Sequence, residues 1–219
     1  DVAGKLIFPG FVDAHVHIPG HILDTRLDNY TTASRAAAAG GVTTVLLMPP
    51  DDPCTVTPAY FERKRLAGEG RSHIDFALQA MVGPSSEPEH VKGLRDLGAV
   101  SFEVFLAYGG MPGFIIGNDD YQLQRVMEMI AQVDGIAGIT PHSPSLMTEL
   151  GRIMRDAFEH DAKVEHQAAT RTVLSEALGI ARACTAAGEA GTHVHLRALS
   201  ARGSLDIVRR FRDRGTVTA

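Results

Sequence analysis

Four histidines and one glutamate stand where their types and spacing could do chemistry. His15 and His17 close the segment Pro9-Gly10-Phe11-Val12-Asp13-Ala14-His15-Val16-His17. In a strand, residues two apart point to one face, so both imidazoles project together at its C-terminal end. Two imidazoles on one face can bite one zinc-like ion. The plainer reading is a pair of polar residues on an edge strand. His142 follows the apolar run Ile136–Thr140, and His195 lies within Thr192–Leu196. Each alone is more often a hydrogen-bonded surface histidine. Together the four stand at the C-terminal ends of three strands, and closing the sheet would make them converge. His193 stands two residues before His195 and could share its face. His21 falls in the loop after the first strand, where a solvated histidine is the ordinary reading against a substrate contact.

The run Ser101-Phe102-Glu103-Val104-Phe105-Leu106-Ala107-Tyr108 carries a carboxylate inside apolar sequence. An unpaired buried carboxylate is costly, so Glu103 needs a cation. A metal ion would satisfy it. So would a salt bridge to an arginine, or an outward turn to solvent. Tyr108 ends the run and suits either simple packing or a hydrogen bond to a ligand.

The elements that must position these side chains alternate in texture. Phe11–Ile18, Val42–Met48, Ile74–Val82, Val100–Ala107, Ile136–Thr140, His193–Leu196 and Thr216–Thr218 read as strands. Helical periodicity fills Thr31–Ala39, Pro58–Ala67, Glu87–Leu97, Asp120–Gln132, Ser145–Phe158, Arg171–Ala187 and Ser204–Arg214. Strand–helix repetition of this kind argues a parallel sheet with helical crossovers. A closed (β/α) barrel needs eight strands in roughly 250 residues. Seven strands are legible here, and an eighth is expected beyond Ala219. An open doubly wound sheet fits the count too, but no Gly-x-Gly-x-x-Gly follows the first strand.

Composition excludes several classes. The 219 residues are 44% hydrophobic with a formal net charge of -5, which suits a globular α/β protein and no disordered one. No basic block suggests a nucleic-acid footprint. No apolar run approaches the roughly 18 residues of a membrane span. The opening DVAGKLIFPG does not read as a secretory signal. Cys54 and Cys184 are too far apart for metal spacing and suit a cytoplasmic protein with reduced thiols.

The segment Pro9–His17, then Ala36-Ala37-Ala38-Ala39-Gly40-Gly41-Val42-Thr43-Thr44-Val45, then Ser101–Tyr108, resembles the amidohydrolase superfamily. Within it the chain is similar to the cyclic amidases: dihydropyrimidinase (hydantoinase), allantoinase and dihydroorotase. The likeness runs through nearly the whole chain. It implies a (β/α)8 TIM-type barrel domain over residues 1–219, incomplete at its C-terminus and without the family's flanking β-sandwich. It implies two divalent metals, expected to be zinc. His15 and His17 would hold the more buried ion, Glu103 would bridge both, and His142 and His195 would hold the second. Tyr108 would hydrogen-bond the oxyanion. The implied activity is metal-dependent opening of a hydantoin- or dihydropyrimidine-like ring, a small cyclic amide, in an enzyme expected to be a homo-oligomer.

Several residues depart from the family pattern. Glu103 stands where the family usually has a carboxylated lysine in Ser-Phe-Lys. Ile18-Pro19-Gly20-His21 replaces an arginine-containing stretch of dihydroorotases and allantoinases, which weakens a carboxylate-bearing substrate. His142-Ser143-Pro144-Ser145 replaces His-Ala-Glu-Asn. The family's aspartate base would lie beyond Ala219. These departures motivate an alternative, a catalytically silent homologue used as an assembly or scaffold subunit.

Overall fold

Strands and helices alternate through the chain as the sequence pattern predicts. The computed structural model describes residues 2–18, 28–50, 54–107, 112–158, 163–212 and 217–219. Its first half runs β1 (Phe11–Val16), α1 (Tyr30–Ala39), β2 (Val42–Leu47), α2 (Pro58–Gly68), β3 (Asp75–Leu78), β4 (Ala80–Met81), α3 (Pro88–Asp96) and β5 (Phe102–Phe105). The second half runs α4 (Asp120–Ala131), β6 (Ile136–Thr140), α5 (Pro144–Phe158), α6 (Val164–Ala169), α7 (Val173–Ala190), β7 (His193–Leu196), α8 (Arg202–Arg212) and β8 (Val217–Thr218).

Every strand pair is parallel, in the orders β1-β2-β3 and β4-β5-β6-β7-β8. The two ladders form one wall. Val100 N donates to Leu78 O at 3.1 Å and Ala80 N to Ser101 O at 3.0 Å, across the break at Gln79. The expected strand Ile74–Val82 is therefore one wall position in two pieces. The Gln79 side chain donates to Ala14 O of β1 at 3.2 Å and accepts from Ser101 Oγ, just before β5, at 2.8 Å. The wall thus has seven consecutive positions of a (β/α) barrel, and among the described residues β1 and β8 are its edges.

Alternation along the strands separates two layers. Phe102, Val104, Ala137, Ile139, Val194 and Leu196 are buried in one apolar core with Met127, Ile130, Ile180 and Ala183 of α4 and α7. Each large aliphatic side chain so buried contributes about 1.5–3 kcal/mol. The intervening residues face the barrel interior and carry the polar groups. One helix beyond the sequence reading is α6, which follows α5 and whose His166 ring stacks on Phe158 with centroids 3.6 Å apart.

Helix α7 shows how local sequence sets the site. Thr172 caps it, its hydroxyl accepting from Ser175 N at 3.1 Å. Gly191 ends it at φ 73°, the left-handed conformation that glycine adopts without a Cβ penalty. In mid-helix, Gly179 lies against the strand end after β6, where a Cβ would stand 2.5 Å from His142 N. A mid-helix glycine costs about 1 kcal/mol relative to alanine. Here it lets the helix press on the Pro141–His142 backbone. Ser143 N then donates to Ser175 O at 2.9 Å and to Ser175 Oγ at 3.0 Å.

Candidate functional site

The interior face of β5, β6, β7 and β8 carries one row in register. Glu103 pairs with Gly138, Gly138 with His195, and His195 with Thr218. Two strand spacings put the Glu103 and His195 backbones roughly 10 Å apart, with only a glycine between them. Arg197 lies two residues beyond His195 and so shares its face. Its backbone N continues the ladder, donating to Ile139 O at 2.8 Å. Its guanidinium lies over Gly138, where a Cβ would be 3.2 Å from both Cζ and Nη2, and it forms an ion pair with Glu103. The two side chains are 8% and 1% exposed. Neither charge could be buried here alone without a penalty of several kcal/mol. Burial pulls the Arg197 pKa down to about 10, which leaves it a cation at neutral pH.

Met48, at the end of β2, seats the other side of the guanidinium. Arg197 Nη1 lies 3.2 Å from its Sδ. Met48 is itself fixed, since its N donates to Val16 O at 2.9 Å and its carbonyl accepts from the buried Lys64 Nζ at 2.6 Å.

His15 and His17 stand side by side on β1, with ring centroids 5.4 Å apart and planes tilted by 56°. The His15 N–H donates to Asp13 Oδ1 at 3.1 Å. Burial holds the His15 pKa below the usual imidazole range, helped by the nearby Arg197 and His17 and opposed by Asp13. On β7, His195 Nδ1 lies 3.0 Å and His193 Nε2 3.2 Å from the same hydroxyl, Thr218 Oγ1. The two histidines do share a face. Burial, then the His193 charge, lowers the His195 pKa.

His142 is buried at the end of β6, and burial lowers its pKa as well, with Glu176 opposing and Arg171 adding. Glu176, on α7, is a buried carboxylate with a full set of donors. Ser200 N, Ser200 Oγ and Ala201 N donate to it at 3.0, 2.7 and 3.1 Å, just before α8 begins. Burial pushes its pKa up, but hydrogen bonds from Ser204, Ser200 and the Ser200 and Ala201 amides outweigh that and hold it low.

No protein-family model matches the chain. Curated relatives do. An allantoinase of Solibacter usitatus is 34% identical over 196 residues, covering 88% of this chain and 41% of its own. An L-hydantoinase of Paenarthrobacter aurescens is 30% identical over 216 residues, covering 98% of this chain and 46% of its own. Among solved structures, the L-hydantoinase (dihydropyrimidinase) of Arthrobacter aurescens superposes with a TM-score of 0.86 at 26% identity, over 99% of this chain and 48% of that one. Along nearly its whole length the chain is similar to cyclic amidases of the amidohydrolase superfamily. It spans about half the length of the curated relatives it matches, and its wall is part of the TIM-type barrel of that superfamily.

Against the ligand set implied for an amidohydrolase, the structure brings together His15 with His17, and Glu103 and His195 in one inner row. Among the described residues, no group of three or more histidine, cysteine, aspartate or glutamate side chains is arranged to hold a metal ion. The five-residue set is therefore not assembled by this arrangement. Of the cations open to Glu103 from sequence, the structure supplies the arginine. Tyr108 and His21 lie outside the described residues. Arg197 and Glu176 went unread in the sequence. The signal for Arg197 was its spacing, since His193, His195 and Arg197 follow one another by two. Among the described residues, no helix is long and apolar enough to cross a membrane.

Proposed function

We propose that the protein carrying this chain is a hydrolase that opens the ring of a small cyclic amide at the C-terminal mouth of the barrel. The observation that carries the reading is the His15/His17 pair ending β1, in a wall shared with relatives named allantoinase and hydantoinase. The bond broken is the ring amide C–N. An uncharged, hydantoin- or dihydropyrimidine-like ring suits the site better than a carboxylate-bearing one, because Ile18-Pro19-Gly20-His21 offers no arginine.

His15 and His17 would supply two of the donors of one divalent ion, with zinc the first expectation. His15 and His17 present two imidazoles with ring centroids 5.4 Å apart on one strand, the ligand type such an ion takes. When bound, the ion supplies a water whose pKa falls toward neutrality. The depressed His15 pKa keeps that ring neutral, as a ligand must be. Thr218 fixes the orientation of His195 on the inner row. Tyr108 is the candidate donor to the oxyanion of the opening ring. Glu103 does not fit the bridging role, because its carboxylate is already spent on Arg197, and no step here passes through a second ion. The scaffold alternative finds no support among the relatives, which bear hydrolase names.

The test is ring opening of hydantoin, dihydrouracil and allantoin by the full-length protein. Exhaustive chelation should abolish activity and zinc should restore it. His15→Ala should lose bound metal, whereas Tyr108→Phe should keep it and lower kcat by about a hundredfold. Activity that survives chelation, or none on any uncharged ring, would overturn the reading.

A further inference from the structure

The most unusual group in the barrel is a buried guanidinium held from three sides. Its own backbone is fixed, with Arg197 N donating to Ile139 O at 2.8 Å. Its plane rests on Gly138, the one residue type that leaves room, since a Cβ there would approach Cζ and Nη2 to 3.2 Å. Its Nη1 meets Met48 Sδ at 3.2 Å, and Lys64 pins the Met48 carbonyl from behind at 2.6 Å. Its charge partner is Glu103, which is 1% exposed. These contacts place a fixed positive charge over Gly138, in the space between Glu103 and His195 on the inner row.

That space is where a bridging carboxylate and a second-ion ligand would have to share a dication. Glu103 brings one negative charge, and the guanidinium balances it. A dication added beside the guanidinium would meet a like charge in a water-poor interior, where repulsion is weakly screened. Nor does Glu103 reach past the arginine with spare charge. The donors outside the Glu103–Arg197 ion pair are His15 and His17 on β1.

We propose that Arg197 is a built-in cation standing in the place of a second metal ion, so that the protein binds one divalent ion per chain and not two. The proposal rests on the reading of His15 and His17 as the ligands of one ion, but it makes no use of ring opening, so activity and stoichiometry can fail independently. It also accounts for three features together. Glutamate suffices at position 103 because a single positive charge has to be balanced. Glycine at 138 is the seat of the guanidinium. Methionine at 48 offers a soft, uncharged wall that a cation tolerates without being drawn away from its carboxylate.

The experiment is zinc stoichiometry in the full-length protein, by plasma mass spectrometry after desalting and by calorimetric titration. The parent should bind about one zinc per chain. Arg197→Ser, which removes the cation and leaves Glu103, should bind about two, with circular dichroism reporting that it is folded. Should that variant not fold, the parent titration stands alone, and two zinc ions per chain in the parent overturn the proposal. An Arg197→Ser protein that folds and gains no zinc overturns it as well. A parent that binds no zinc overturns it too. Loss of ring opening with a one-to-two change in zinc supports the proposal and counts against the function alone.

Discussion

The barrel wall treats its polar side chains in opposite ways on β1 and on β5 to β7. On β1, His15 and His17 sit on a strand whose Phe11 and Val12 are 59% and 63% exposed. At β5 to β7, Glu103 and Arg197 are sealed in, at 1% and 8% exposed. The histidines need no counter-charge, because neutral imidazole can stand near water at little cost. The ion pair has no such freedom, since each partner's burial is tolerable only because the other is present. The same wall therefore holds one pair that can be emptied or filled cheaply and one that is locked.

Breaking the lock should give the largest effect. Arg197→Met leaves a buried, uncompensated carboxylate, and stability should fall by about 3–5 kcal/mol in urea denaturation. Adding Glu103→Gln to that variant should recover most of the loss. A double variant as unstable as the single one would mean that packing, and not charge, holds this centre. Crowding the lock should cost less. Gly138→Ala pushes a methyl toward a guanidinium that cannot swing away, and about 1–2 kcal/mol should be lost. A neutral or stabilising result would show that the arginine is loosely seated. The smallest effect belongs to β1. His17→Ala on β1 should change stability by no more than about 0.5 kcal/mol. A loss as large as that at Arg197 would erase the contrast between the two regions.

Much of this was legible from sequence, and the exceptions have physical causes. Each wall position was visible because parallel strands read as apolar runs between helical stretches. Ile74–Val82 was one run in sequence and is two strands in space, because its first part pairs with β2 up to Leu78 and its second with β5 from Ala80. Helix α6 is too short to show a period. Period two correctly put His15 beside His17, and His193 beside His195. The same rule, carried one step further, reaches Arg197. What period two cannot supply is the partner across the sheet. Glu103 and Arg197 meet only because β5, β6 and β7 lie side by side in one register, and register is set by the whole wall. Glu176 was hidden for a similar reason, since its donors belong to the segment leading into α8.

Gly138 carries a consequence for the history of this site. A glycine at 138 clashes with nothing at 197, whereas an arginine at 197 is crowded by any side chain at 138. The two substitutions are therefore not interchangeable in time. A lineage arriving at this arrangement loses least by acquiring the glycine first, and once the arginine is in place replacing the glycine carries a cost. The pair works as a ratchet, in which a change on one strand becomes costly to reverse after a later one on the next.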